Sequence, residues 1–202
     1  MSEVLEEVIK PADCAIAFGI PTSREAFIVR RQRAAGDSFA GRLDWVRYER
    51  LVIRVYRDTL GQLERRKDFG LTVVHRATSQ DLGRLFASTL RVVVLFSHWA
   101  GDEVELFDGF QGTDAVVARV PKDYSGLVDL CVCHPRGLPA AIKARAPGCR
   151  VRYTEGTHTA SIWLAFYMQL FRLLWERERT YGQAFLEAMD HMLQAEAAVL
   201  EL

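Results

Sequence analysis

The sequence predicts an α/β fold in which a mainly parallel central sheet is flanked by helices on both faces. Short apolar runs recur along the chain: CAIAFGI (14–20), LTVVH (71–75), RVVVLFSH (91–98) and LVDLCVC (127–133). Between them lie segments whose apolar residues follow helical spacing. Strands separated by helices need crossover connections, and these set neighbouring strands parallel.

The first strand is read over Cys14–Ile20, closed by Pro21. Residues 21–41 are polar, rich in arginine and carry glycines, so they are expected to form a long, mobile loop. Leu43, Val46, Leu51, Ile53, Val55, Leu60 and Leu63 mark an amphipathic helix over 43–66. Leu71–His75 is a second strand. Ser79 caps a helix running to Leu90, with Leu82, Leu85 and Phe86 facing inward. Arg91–His98 and Leu127–Cys133 are almost continuously apolar, which puts them at the centre of a sheet covered on both faces. A hairpin around Asp108–Gly109 is expected between them. Gly137–Ala146 reads as a short helix, Cys149–Thr154 as a fifth strand, and residues 158–202 as two closing helices.

The 202 residues fit one domain, and half are hydrophobic, enough for a sizeable core. Lysine plus arginine and aspartate plus glutamate both number 26. A balanced charge gives no strong basic field, which argues against a general binder of nucleic acid or membrane surfaces. The start, MSEVLEEVIKPAD, is acidic and does not read as a secretory signal. The apolar stretch near Ile162–Trp175 is broken by Gln169 and Arg172, so it does not read as a membrane span. A cytoplasmic location is expected, and with it free thiols at Cys14, Cys131, Cys133 and Cys149.

In doubly wound sheets, reactive groups gather at the carboxyl ends of central strands. Here one central strand ends Ser97-His98 and another ends Cys131-Val132-Cys133-His134. If the strands are neighbours, thiol and imidazole meet at one sheet edge. A thiol with an ordinary pKa of roughly 8.5 needs a nearby imidazolium to become thiolate at neutral pH. The imidazole can then return a proton to a leaving amine. Backbone amides of the turn after Cys133 can hold an oxyanion. Cys131, Cys133, His134 and His98 also have the atoms for zinc, but strand geometry sends Cys131 and Cys133 to one face and His134 to the other. A Cys-x-Cys redox pair is disfavoured for lack of the usual Cys-x-x-Cys spacing. No metal or cofactor is implied. His75 ends a strand and could line the same cleft, with a structural role favoured; His158 and His191 read as ordinary surface or capping residues. The aromatics Trp163, Phe166, Tyr167, Phe171 and Trp175 read as core or oligomer interface.

The segment VVVLFSHWAGDEVELFDG (92–109) resembles the caspase segment in which a strand ends in Ser-His and runs through a hairpin to Asp-Gly, and LVDLCVCHPRG (127–137) resembles the strand that ends in the nucleophile of caspase-like cysteine proteases. Cys133-His134 is similar to a metacaspase step, and TASIWLAFYMQLF…YGQAFLEAM resembles the end of bacterial CHAT domains. The resemblance spans about Leu71 to Met189 in order of elements. It implies a caspase–haemoglobinase-like three-layer sandwich and a cysteine endopeptidase with His98 and Cys133 as its dyad. Ser97, Trp99, Cys131 and His134 would surround them. Arg24 and Arg30, with Arg31 and Arg33, would sit on a loop that shapes a substrate pocket or receives an anionic activator. Trp99 stands where caspases have glycine, Cys131 where metacaspases have an acid, and the Gln-Ala-Cys-[Arg/Gln/Gly]-Gly signature is not kept. Neither Asp nor Arg/Lys specificity therefore follows. The family includes small effectors of bacterial antiphage defence. Their implied partners are a protein substrate and an activator, either a protein or a nucleotide-like messenger of the TIR-derived kind. The runner-up is a catalytically inactive module of this fold that binds a ligand or a partner protein.

Overall fold

The computed structural model describes residues 6–33, 39–155 and 159–200. Among these, strands β1 (Cys14–Phe18), β2 (Thr72–Val74), β3 (Val92–Phe96), β7 (Leu127–Cys133) and β8 (Arg150–Thr154) form one sheet, in the order β2-β1-β3-β7-β8. Every pairing in it is parallel. The α/β class and the mainly parallel sheet expected from the apolar runs are therefore present. β3 is central and β7 lies beside it, as their two-sided apolar character requires.

Alternation along the strands sends side chains to two separate cores. Ile16, Phe18, Val94, Phe96, Leu127 and Cys131 face one core; Ala17, Val93, Leu95, Val128, Leu130 and Val132 face the other. The first core is closed by the helical segments between β1 and β2 and by α9 (Ala160–Glu176) and α10 (Tyr181–Leu200). The aromatics Trp163, Phe166, Tyr167 and Phe171 are buried in it, with Trp175 packed at its margin. The second core is closed by α6 (Ser79–Phe86), α7 (Thr113–Val117) and α8 (Leu138–Arg145). Between β3 and α7 the strands β4 (Trp99–Ala100), β5 (Glu103–Leu106) and β6 (Gly109–Gly112) form a small antiparallel sheet that includes the expected hairpin.

Four expectations need correction. Residues 21–41 are not one loop, since Arg24–Arg33 is helix α1 and Phe39–Arg42 is α2. Ser23 starts α1, its carbonyl accepting from Phe27 N and its hydroxyl from Ala26 N. The buried face of α1 (Ala26, Phe27 and Arg30) includes an arginine, so the apolar stripe was invisible. Residues 34–38 of that expected loop lie outside the described residues, as does His158. The helix expected over 43–66 is segmented into α3 (Trp45–Tyr48), a π-helical turn (Glu49–Arg54), α4 (Val55–Asp58) and α5 (Leu60–Glu64), broken at Thr59. The cap of α6 is Thr78, not Ser79. Thr78 accepts from Asp81 N, while Asp81 accepts from Thr78 N. Finally, α6 ends at Phe86 rather than Leu90.

Candidate active site

β3 and β7 run side by side with Phe96 opposite Cys131. The ladder continues past the end of β3, because Ser97 N donates to Cys131 O at 3.1 Å. Two residues beyond that pair on each strand stand His98 and Cys133. The central sheet thus brings both to adjacent carboxyl-terminal ends. His98 lies on the first-core side, its ring 5.7 Å from that of Phe39, which packs against that core. Cys133 follows Asp129 and Cys131 in the alternation of β7, and both of these are buried on the same side.

Cys133 is the partly exposed member of the four free cysteines; Cys14, Cys131 and Cys149 are buried. Burial pushes the Cys131 thiol well above its ordinary range and that of Cys14 far up as well. Burial also lifts Cys149, to about 11. These three are therefore held as neutral thiols at neutral pH, and Cys133 is the one placed to meet a solute.

The backbone around Cys133 is irregular. On the β8 side Leu130 pairs with Tyr153 and Cys133 with Thr154, so three steps of β7 oppose one of β8. Bulges of this kind bend a strand and re-aim its side chains. The next residue, His134, has φ +49°, a left-handed conformation rarely taken by a residue with a Cβ. Strain of this sort gathers where a site dictates the backbone. Arg136 N turns back onto His134 O at 2.7 Å, and Gly137 at φ +75° starts α8. Beyond this turn lies a cleft of about 420 Å³, lined by His134, Pro135, Arg136, Pro139, Tyr153 and Glu155, among others, but not by Cys133 or His98.

The other sequence-derived residues divide among different places. Ser97 lies beside the dyad, its hydroxyl donating to Glu105 O. Trp99 opens β4 opposite Val104 and packs against the second core. Arg24 is exposed over the ring of Trp45, 5.4 Å from its centroid, in a separate groove shared with Arg31. Arg30 is buried and paired with Glu105, its Nε 3.0 Å from Oε1. Arg24 and Arg30 therefore do not share one pocket, because helix α1 turns them to different sides. His75 makes structural contacts: Nδ1 is 2.8 Å from Thr22 Oγ1 and Nε2 is 2.8 Å from Glu64 Oε1. Among the described residues, no three or more His, Cys, Asp or Glu side chains converge as a metal site. No described helix is long and apolar enough to cross a membrane.

Sequence reasoning missed two polar groups near the dyad. Glu105, fully buried, carries the contacts of Arg30 and Phe39 beside His98. It sits in an ordinary-looking hairpin, where a glutamate reads as solvent-facing. Asp129, also fully buried, accepts from Arg152, Tyr167 and Tyr181 below Cys131. Its signal was present, since a lone acid inside LVDLCVC must find partners. Searches with the sequence found no matching protein-family profile and no matching curated protein.

Proposed function

We propose that this chain is a caspase-like cysteine endopeptidase, with Cys133 as nucleophile and His98 as proton shuttle. The observation that carries the reading is the shared register of β3 and β7, which sets His98, two residues past the end of β3, beside Cys133 at the end of β7. Support also comes from the small antiparallel sheet between His98 and the next helix, and from the strained turn after Cys133. A hairpin after the histidine also belongs to the resemblance on which this reading draws.

In this reading the thiolate of Cys133 attacks the carbonyl carbon of a peptide bond. The backbone N–H of His134 is the donor this turn offers to the oxyanion, because Pro135 has none and that of Arg136 is engaged by His134 O. His98 passes the proton to the leaving amine, and a water then hydrolyses the thioester with His98 as base. No metal or cofactor enters these steps. The substrate is a protein. The role of signal-activated effector in bacterial antiphage defence, with a nucleotide-like or protein activator, rests on the resemblance alone.

The test is hydrolysis of a fluorogenic peptide library, with and without lysate of phage-infected cells as the source of activator. Cys133→Ala and His98→Ala should each abolish hydrolysis while the melting temperature stays near that of the parent. Hydrolysis that survives Cys133→Ala would overturn Cys133 as the nucleophile, and a parent protein that hydrolyses no peptide with the activator present would favour the non-catalytic module of the same fold.

A further inference from the structure

We infer that Glu105 is a positioning residue for His98, a reading that rests on the dyad proposed above. One contact of this residue reaches the histidine itself, and three hold its surroundings. Its backbone N donates to His98 O at 2.8 Å, and its backbone O accepts from the hydroxyl of Ser97, the residue before His98. Its carboxylate works through a second route. Oε2 accepts from Phe39 N at 2.7 Å, and the Phe39 ring is the surface against which the His98 ring lies. Oε1 accepts from Arg30 Nε at 3.0 Å, which anchors the carboxylate to α1.

The arrangement explains why a charged side chain is buried here. Both Glu105 and Arg30 are withdrawn from water, and burying such groups is costly unless they are paired. An apolar residue would fill the space. It could not bind the amide of Phe39 and the guanidinium of Arg30 at once. Glu105 therefore fixes the start of α2 relative to β5, and with it the wall behind the imidazole. Proton transfer depends on where that imidazole points, and displacements of about 1 Å can cost on the order of a hundredfold in rate.

The experiment reads the alkylation rate of Cys133 by iodoacetamide as a function of pH, together with the ring-proton resonances of His98 in histidine-labelled protein. Glu105→Gln is the first variant, because it replaces one of the two accepting oxygens with an NH2 group that cannot accept from Phe39 N or Arg30 Nε. Phe39→Leu is the second. It removes the ring, keeps the amide and leaves the Glu105–Arg30 pair in place, so it guards against misfolding of the first. Each variant should move the His98 resonance. Each should slow alkylation near neutral pH by roughly tenfold or more, changing the pH profile toward that of His98→Ala. Neither should slow it further in the His98→Ala background, because a residue acting through His98 has nothing left to position. A merely structural role would give an additive loss.

If both variants alkylate at the parent rate with His98 unmoved, the positioning role is overturned and the dyad stands. If His98→Ala itself leaves the rate unchanged, the dyad fails, and the His98 resonance alone decides the positioning. Movement in Glu105→Gln, which removes no ring beside His98, supports it, and an unmoved resonance in that variant overturns it.

Discussion

Asp129 of β7 and Arg152 of β8 are ladder partners, and their side chains also meet as a buried ion pair. Arg152 Nε lies 2.6 Å from Asp129 Oδ1, and Tyr167 donates to the same oxygen at 2.9 Å. Tyr181 donates to Oδ2 at 2.5 Å. One carboxylate therefore ties two strands to α9 and α10. Burial alone would make the guanidinium easier to deprotonate, but Asp129 outweighs it and holds the Arg152 pKa above its ordinary value. Asp129→Ala leaves that cation buried without its counter-charge. It should cost about 3–5 kcal/mol, the range for breaking a buried pair from one side. Tyr181→Phe should cost less, about 1–3 kcal/mol, for one unsatisfied acceptor. Urea unfolding of both variants checks the order. Equal losses would mean that the charge pair is not what holds this corner.

The buried phenols and thiols make a second prediction, at alkaline pH. Burial raises the pKa of Cys14, Cys131 and Cys149 above the ordinary 9.0, and that of Tyr48, Tyr124, Tyr167 and Tyr181 above the ordinary 10.0. The folded chain keeps these protons where the unfolded chain loses them. Unfolding then releases protons, so rising pH favours it. The contribution is complete below pH 9.0 and is lost upward from there, through about 11 for Cys149. The melting temperature should fall progressively over that range. A constant melting temperature through pH 11 would show that these groups titrate alike in both states.

The same burial orders the thiols by reactivity. A short pulse of iodoacetamide on the native protein should label Cys133 first, with Cys14, Cys131 and Cys149 labelled only on unfolding. Peptide mapping after the pulse reads the order. Labelling of Cys131 at the same rate as Cys133 would mean that the sheet edge opens well below global unfolding.

How far the sequence anticipated this molecule depends on the element. Strands β3 and β7 were legible because near-continuous apolar runs suit only strands covered on both faces. The end of β7 at Cys133 could be read too, whereas β3 ends at Phe96, two residues before the expected His98. Helix α1 was not legible, because Arg30 occupies its buried face and its partner Glu105 lies 75 residues away in the chain. A periodicity count scores that arginine as exposed, and only the fold supplies the carboxylate. The bulge between Leu130 and Cys133 was hidden for a related reason. It is a mismatch between two strands and leaves no mark in either one alone.

Gly19 offers the last test, of the packing that brings the small sheet against His98. Its N donates to Phe96 O at 3.0 Å, so it continues the β1–β3 ladder by one step. Glycine is needed there for space. A Cβ on Gly19 would overlap the carbonyl oxygen of Glu105 and the hydroxyl of Ser97, and would lie 3.0 Å from Ser97 Cβ. The first of these is backbone and cannot rotate away, so β5 must retreat and the Ser97–Glu105 bond must break. Gly19→Ala should therefore lose about 1–3 kcal/mol, as overpacked sites do. It should also slow Cys133 alkylation, since the retreating strand carries the amide that holds His98 O. Gly101→Ala is the control. It sits at φ +56° in the turn between β4 and β5, with nothing within 4 Å of the added carbon. That variant should lose about 1 kcal/mol through backbone strain alone and leave the alkylation rate unchanged. If Gly19→Ala matches Gly101→Ala in both measurements, the approach of β5 to the end of β1 does not govern the histidine.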